Sequence, residues 1–217
     1  MRRRPATLGV MPTTDRHLSL APLCAAAAAG RRDAIAAAVR GALDAGCTPA
    51  EIREALLTLV PFCGYPCTLD AMSAATPILR EPDSPAEAIS PEGADIRGAA
   101  FFDRVYGADA AKVRGNLAAL DAEVAAWIER DAYGKVLSRP GITASLRERI
   151  GIVLLAAQGL RTQLSGHVRG AMNCGATADE IAAYVEAAAP FIAPEELAFA
   201  RATVARVKQG PVPAPPG

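Results

Sequence analysis

The chain has 217 residues, of which 51% are hydrophobic and 5% aromatic, and its 23 basic and 23 acidic side chains give a formal net charge of zero. This length can bury a full core and permits one or two domains. The balanced charge excludes the broad basic face that nucleic-acid binding requires, and the abundant alanine favours closely packed helices.

The first part of the chain predicts helices separated by glycine and proline. Residues 1–16 are mostly polar and predict a loose arm. Gly46 occupies the position of a helix C-cap glycine, and Thr48-Pro49-Ala50-Glu51 is a capping box with proline at the first helical position. A break after the third helix is predicted at Cys63-Gly64-Tyr65-Pro66-Cys67. The helices expected here cover about 18–29, 31–45, 49–62 and the stretch from the break to about 79.

The rest of the chain predicts a linker followed by further helices. Residues 81–93 are rich in proline and acidic residues, as linkers are. Residues 133–141 predict a turn-rich approach to a helix that Thr143 caps, and Thr177-Ala178-Asp179-Glu180 is a second capping box. The expected helices are 99–106, 108–131, 144–158, 161–174, 178–191 and 194–209. No strand is predicted.

One stretch of sequence occurs twice. Arg40-Gly-Ala-Leu-Asp-Ala-Gly46 returns as Arg169-Gly-Ala-Met-Asn-Cys-Gly175, at an offset of 175 − 46 = 129 residues, and the match is ungapped over 32–62 and 161–191. We therefore predict an all-α fold of tandem helical repeats. Residues kept in both copies are expected to serve the scaffold, and residues found in one copy are candidates for function. The predicted boundaries are 17–80 for copy one, 81–140 for the linker and connecting helices, 141–209 for copy two and 210–217 for a disordered tail.

The repeated motif resembles that of a known family. His167-Val-Arg-Gly-Ala-Met-Asn-Cys-Gly175-Ala-Thr177-Ala-Asp-Glu180-Ile181 is similar to the carboxymuconolactone decarboxylase family, within the alkylhydroperoxidase D-like superfamily. The approach over 133–141 and the turn Gly64-Tyr65-Pro66 also resemble it. The resemblance implies an all-helical fold that assembles through symmetric contacts. Single-copy members form rings, so we expect this tandem chain to be a homo-oligomer, either a trimer or a dimer.

Two residues of copy two are candidates for catalysis. His167 lies mid-helix where copy one has Ala38, and the resemblance places a histidine of the family's active-site pocket here. Histidine titrates near neutral pH and suits proton transfer, although a buried structural histidine is the alternative. Glu148, opposite Ser19 of copy one, resembles a glutamate that the superfamily uses near its histidine. Its alternative role is a favourable charge near a helix N-terminus.

Three further residues are candidates for substrate binding. Arg147 and Arg149 align with Leu18 and Leu20 of copy one. Guanidinium groups bind carboxylates bidentately. Tyr65 lies in the turn that resembles the family. We expect the remaining polar residues of the repeats to be structural or solvated, namely Arg40, Arg169, Glu51, Glu180, Glu54 and His17.

The five cysteines argue against a disulfide framework, because their number is odd and most lie in or beside apolar helical runs. The peroxidase branch of the superfamily has Cys-x-x-Cys-x-x-x-His, and this chain has Leu160 and Gln163 at those cysteine positions. A thiol peroxidase is therefore not expected. Cys63 and Cys67 are either small apolar fillers or an oxidisable pair.

The leading functional prediction is cofactor-free decarboxylation of a small carboxylated lactone or a related oxo acid. A thiol-dependent oxidoreductase and a non-catalytic helical assembly protein are the alternatives. We expect a small carboxylate as substrate, no metal, no membrane span, no nucleic-acid partner and a cytoplasmic location. Arg2-Arg3-Arg4 and the apolar stretch 18–30 could form a secretory signal, but the segment that aligns with 18–30 lies mid-chain at 147–159.

Overall fold

The computed structural model describes residues 15–79 and 89–208, and this part of the chain is helical with no β-strand. The all-α prediction is confirmed, whereas the predictions for 1–14, 80–88 and 209–217 lie outside the described residues. The α-helices are α1 (Leu20–Ala28), α2 (Arg32–Asp44), α3 (Pro49–Leu57), α4 (Leu59–Leu79), α5 (Ala94–Tyr106), α6 (Ala110–Leu120), α7 (Ala122–Trp127), α8 (Ala144–Ala157), α9 (Arg161–Asn173), α10 (Ala178–Ala188) and α11 (Pro194–Lys208). A π-helix spans Ile128–Leu137, and 3₁₀ turns span Arg16–Ser19, Gly107–Asp109 and Ala189–Phe191.

Both predicted capping boxes are present, and their hydrogen bonds are nearly identical. Thr48 Oγ1 accepts from the Glu51 N–H at 3.2 Å, and Glu51 Oε2 accepts from the Thr48 N–H at 2.8 Å. The corresponding distances for Thr177 and Glu180 are 3.1 and 2.7 Å. The same local chemistry therefore begins α3 in copy one and α10 in copy two.

The third helix is shorter than expected. It ends at Leu57 rather than near residue 62, and the chain bends by 104° between α3 and α4. Pro61 gives a physical reason, because it has no N–H to donate to the carbonyl of Leu57. Gly64, with φ of 76° and ψ of 172°, then interrupts the regular geometry of α4. The break predicted at 63–67 is thus confirmed.

The stretch 133–141 was expected to be turn-rich, and the structure confirms this for 138–141 but not for 133–137, which are helical. The π-helix continues through Tyr133 and Gly134 to Leu137. Gly134 and Gly98 allow it to lie directly against α5, since a Cβ on Gly134 would collide with the carbonyl of Ala94. Close packing against a neighbouring helix therefore outweighs the turn preference of glycine here.

The core joins the two copies. Helix α1 of copy one packs against α8 and α10 of copy two, and α8 is buried along its whole middle, from Leu146 to Ala156. A second, smaller cluster of buried hydrophobic residues lies between α5 and the π-helix. Because α8 runs through the main core, its three consecutive charged residues, Arg147, Glu148 and Arg149, are all buried.

Among residues 15–79 and 89–208, no single helix is long and apolar enough to cross a bilayer, although α3 and α4, bent by 104° at their junction, reach that length and composition together.

Candidate active site

The two predicted catalytic residues form a buried hydrogen-bonded pair. His167 on α9 and Glu148 on α8 meet with Nδ1 and Oε2 2.8 Å apart. Glu148 is fully buried and His167 is 8% exposed. Because an ionised carboxylate can only accept hydrogen bonds, Nδ1 is the donor in that state and Nε2 is the ring nitrogen left for other partners.

A glycine and a phenylalanine shape the surroundings of this pair. A Cβ on Gly170 would lie 2.7 Å from Glu148 Oε2 and 2.7 Å from Val105 Cγ1, so only glycine lets α9 approach this closely. The ring of Phe62 meets the imidazole of His167 edge-on, with centroids 5.1 Å apart. Phe62 belongs to copy one, so both copies build the site.

Glu148 also has an unpaired atom. Its Oε1 is buried and has no hydrogen-bond partner among the described residues. A buried acceptor without a partner costs free energy, and a carboxylate costs more than a neutral group. The bond to His167 is thus the main described compensation for burying Glu148, and it couples the charge of the carboxylate to that of the imidazole.

His167 opens onto a cavity of about 750 Å³. Helix α9 forms one wall, and the region between the repeats forms the other. The polar side chains that line it are Tyr106, Asp109, Lys112, Asn116, Thr162, Gln163, His167, Arg169 and Asn173. A pocket of this size, with several polar groups and a buried histidine–glutamate pair, is typical of a small-molecule site.

Two cations in this cavity were missed by the sequence analysis. Lys112 and Arg169 are exposed, and neither forms an ion pair with another described residue. Arg169 was expected to be structural because copy one has Arg40 at the same place. Both arginines are exposed, however, so their occurrence in both copies does not reflect a place in the core. Helical spacing could have found it, because Thr162, Gly166, Arg169 and Asn173 recur at intervals of three to four along the cavity face of α9.

Two tyrosines extend the polar wall. The hydroxyl of buried Tyr133 donates to the Tyr106 hydroxyl at 2.9 Å, and Tyr106 lines the cavity. Burial raises the pKa of Tyr106 above its ordinary value of 10.0, although the bond from Tyr133 partly opposes this. Burial likewise raises the pKa of Tyr133 well above 10.0. Tyr106 therefore stays protonated at neutral pH, and since its oxygen already accepts one bond, its own O–H can donate to a ligand.

Arg147 lies outside this cavity. Its Nη2 donates to Glu54 Oε2 at 2.7 Å and to the carbonyls of Arg139 and Pro140, and its Nη1 donates to Thr58 Oγ1 at 3.1 Å. These bonds use the donors of the guanidinium, which is also fully buried. Its placement gives no support to the expected role in substrate binding. Glu54, expected on a solvated face, is also buried and pairs with Arg147 across the two copies.

Arg149 and Tyr65 also lie away from His167. Arg149 Nη1 donates to Asp15 Oδ2 at 3.1 Å, and its guanidinium lies 5.3 Å from the ring centroid of Tyr184. Tyr65 is 71% exposed and lines a different groove, beside Trp127. The structure thus brings His167 and Glu148 together and places the three expected substrate-binding residues elsewhere.

The cysteines do not contribute to the cavity. All five are free, and Cys63 and Cys67 are partly buried on α4. Burial raises the pKa of Cys63 and of Cys67, which disfavours the reactive thiolate. Cys67 Sγ instead contacts the carbonyl oxygen of Ala27 at 3.3 Å.

Comparison with known proteins agrees with the repeated helices. The carboxymuconolactone decarboxylase family matches residues 13–77 and 122–205. The chain belongs to this family. The two matched segments correspond to the two copies, with the second beginning upstream of the π-helix, as expected for a tandem member of the family.

Two relatives show how far the similarity extends. Peroxisomal protein 2 of Schizosaccharomyces pombe is 30% identical over 172 residues, which cover 76% of this chain and 80% of that protein. The 4-carboxymuconolactone decarboxylase of Acinetobacter baylyi is 40% identical over 55 residues, which cover 25% of this chain and 41% of that enzyme.

Proposed function

We propose that this member of the carboxymuconolactone decarboxylase family is a cofactor-free decarboxylase that acts on a small carboxylated lactone or a related oxo acid. The observation that carries the proposal is the buried His167–Glu148 pair beside a cavity that contains two cations without ion-pair partners among the described residues. The match to part of a decarboxylase supports the same reaction class.

The cavity supplies groups for binding the substrate. Arg169 and Lys112 can hold a carboxylate, and a guanidinium does so through two parallel hydrogen bonds. The free O–H of Tyr106 can donate to a carbonyl oxygen as negative charge develops there. These roles replace those that the sequence analysis gave to Arg147 and Arg149.

The chemical step needs one proton donor. When the bond to the carboxyl carbon breaks, CO₂ leaves and the bonding electron pair delocalises into the neighbouring carbonyl. His167 Nε2–H then gives its proton to the resulting carbanion, and solvent restores that proton. Glu148 accepts from Nδ1–H, which fixes the orientation of the ring and stabilises the imidazolium before transfer.

The alternatives are less well supported by the geometry. A thiol-dependent oxidoreductase would need a reactive thiolate, but Cys63 and Cys67 lie outside the cavity and burial raises the pKa of each. A non-catalytic assembly protein would be favoured by a dry apolar cluster around His167. The cavity beside His167 is instead lined by nine polar side chains.

The test is CO₂ release from a panel of carboxylated lactones and β-oxo acids. We expect turnover of at least one compound by the parent chain and by Cys63→Ser/Cys67→Ser, with a large loss in His167→Gln. Peroxide turnover that disappears in the double cysteine variant would favour the oxidoreductase instead. The absence of CO₂ release from every compound, with ligand binding retained, would favour a binding protein.

The two exposed arginines of the repeats allow a matched test of substrate binding. Arg169→Gln is expected to raise KM by roughly tenfold or more, because a lost charged hydrogen bond weakens binding by that order. Arg40→Gln, at the same position of copy one, should leave KM unchanged. Equal effects of the two substitutions would remove Arg169 from the binding site.

We also propose that the chain self-associates as a trimer or a dimer. The support is the alanine-rich helices, whose small side chains allow close packing, and membership in a family whose single-copy members form rings. Light scattering at micromolar concentration should give two or three times the 22.4 kDa mass of one chain. A mass of one chain would contradict the proposal.

A further inference from the structure

A second group of reactive side chains lies at the start of α3, in copy one. His17, Cys47 and Glu51 each offer one ligand atom, and these atoms all lie within 4.8 Å of one another. His17 comes from the 3₁₀ turn before α1, Cys47 from the turn between α2 and α3, and Glu51 from the first turn of α3. None of the three lines the cavity beside His167.

The other copy shows that this group is not needed to form the turn. The positions of His17, Cys47 and Glu51 are occupied in copy two by Leu146, Ala176 and Glu180. Glu180 completes its capping box without a histidine or a thiol at those positions. The scaffold therefore accounts for Glu51 but not for His17 and Cys47.

The ligand atoms of His17 and Glu51 face each other, and in the chain without an ion a hydrogen bond joins them. His17 Nε2 and Glu51 Oε1 are 3.0 Å apart. Arg16 supplies positive charge, since its Nη2 donates to Glu51 Oε1 at 2.6 Å and its Nε to His17 Nε2 at 3.4 Å. The side chain of Arg16 is 48% exposed and that of Glu51 is 13% exposed, so the guanidinium lies on the solvent side of the pair and can move outward when an ion binds.

Cys47 and one oxygen of Glu51 lie outside the hydrogen bonds that form the capping box. Cys47 Sγ contacts only Ser19 Oγ and the carbonyl of Arg16, both at 3.5 Å, among the hydrogen bonds of the described residues. Glu51 Oε2 is held by the N–H and hydroxyl of Thr48, so Oε1, which accepts from Arg16 in the chain without an ion, is the oxygen that a metal would take over.

We propose that His17 Nε2, Cys47 Sγ and Glu51 Oε1 bind a Zn²⁺ ion, with a fourth position open to water. Imidazole, thiolate and carboxylate are the protein ligands that zinc prefers, whereas Ca²⁺ and Mg²⁺ prefer oxygen alone. Zn–ligand distances of about 2.0–2.3 Å place tetrahedral ligand atoms roughly 3.3–3.6 Å apart, so shifts of about 1 Å would complete the site.

A further carboxylate lies where an outer partner of a metal-bound histidine belongs. Asp15 Oδ1 is 3.4 Å from His17 Nδ1, while its Oδ2 accepts from Arg149 of α8. Such a carboxylate fixes the ring orientation of a ligating histidine. The ion would therefore link the turn before α1 to the start of α3 and stabilise the folded state, independently of the reaction at His167.

The test is a Co²⁺ titration of the metal-stripped full chain, followed by Zn²⁺ competition. Co²⁺ bound to Cys47 should give a thiolate-to-cobalt charge-transfer band that Zn²⁺ abolishes. Cys47→Ala and His17→Leu introduce the residue types found at the matched positions of copy two. Each should weaken Co²⁺ binding at least roughly tenfold, as expected when a metal site loses a partner. Cys63→Ser, which removes a thiol outside the group, should bind as the parent does.

The same samples control for folding. Circular dichroism should show unchanged helicity in each variant, and Zn²⁺ should raise the Tm of the parent and of Cys63→Ser but not of Cys47→Ala. Arg16→Ala should bind Co²⁺ more tightly, because the competing guanidinium is gone. The proposal is overturned if the parent shows no charge-transfer band in excess Co²⁺, or if Cys47→Ala and His17→Leu bind as tightly as the parent.

Discussion

The two copies share a helical frame, but they differ in the side chains they place on it. Copy two has Glu148 and His167 where copy one has Ser19 and Ala38, so only copy two forms the buried acid–imidazole pair. Both capping boxes keep the same hydrogen bonds. A few differences at matched positions therefore decide which copy carries the buried histidine–glutamate pair, while the fold stays constant.

A glycine present in both copies shows that a shared residue can still serve only one site. Gly170 is essential where it lies, because a Cβ there would collide with Glu148. Its counterpart Gly41 has open space around its position. A residue kept in both copies can therefore matter to one site only, and the role proposed for Arg169 would be a second example.

The largest effect should come from exchanging the residues at positions 167 and 38. His167→Ala should lower turnover of the cognate acid by roughly 10²–10⁴, the usual loss when a positioned proton donor is removed. Ala38→His should leave turnover within a few-fold of the parent, because Ser19 offers no carboxylate to pair with it. Steady-state kinetics on folded variants will test both. Near-normal activity of His167→Ala would make His167 a core residue.

The next largest effect concerns the ion pair that joins the copies. Glu54→Ala leaves the buried guanidinium of Arg147 without its carboxylate and should lower the free energy of unfolding by about 3–5 kcal/mol. The double variant Glu54→Ala/Arg147→Leu installs the residue types of the matched positions, Ala183 and Leu18. Urea unfolding should show that it loses less than the sum of the two single variants. Strict additivity would mean that the pair is not coupled.

The sequence predicted most of the fold because its signals are local. Capping boxes, helical spacing and the 129-residue repeat fix where helices begin and which segments are equivalent. The bend after Leu57 and the π-helix depend on Pro61 and on glycine contacts with a distant helix, which spacing does not reveal.

The candidate site was predicted only where the copies differ in sequence. His167 and Glu148 were identified by that asymmetry and by the family resemblance. Tyr106 and Lys112 were missed because they lie between the copies and have no counterpart to compare. The placement of Arg147 does not support its expected role in substrate binding, and sequence alone does not show that Glu54, 93 positions earlier, reaches it.

The pH dependence of stability should reveal the same ion pair. Burial alone would raise the pKa of Glu54, but hydrogen bonds from Arg139 and Arg147 and their charges hold it below the ordinary value of 4.5. A depressed pKa in the folded state stabilises the protein above about pH 4.5, and this stabilisation is lost as the pH falls through the folded value. The difference in unfolding free energy between the parent and Glu54→Gln should therefore shrink below that pH. A constant difference would contradict this assignment.

The smallest effects should come from the capping boxes, where the two copies are most alike. Thr48→Ala and Thr177→Ala should each lower the free energy of unfolding by about 1 kcal/mol, because both hydroxyls accept the same helix N–H bond.

The glutamates of the two capping boxes should differ in their contribution to the free energy of unfolding. Burial would raise the pKa of Glu51, yet bonds from Thr48, His17 and Arg16 hold it at about 2. Glu51→Ala should therefore cost more than Glu180→Ala in urea unfolding at neutral pH. Equal costs would show that His17 and Arg16 add nothing to the stability of the turn in the metal-free chain.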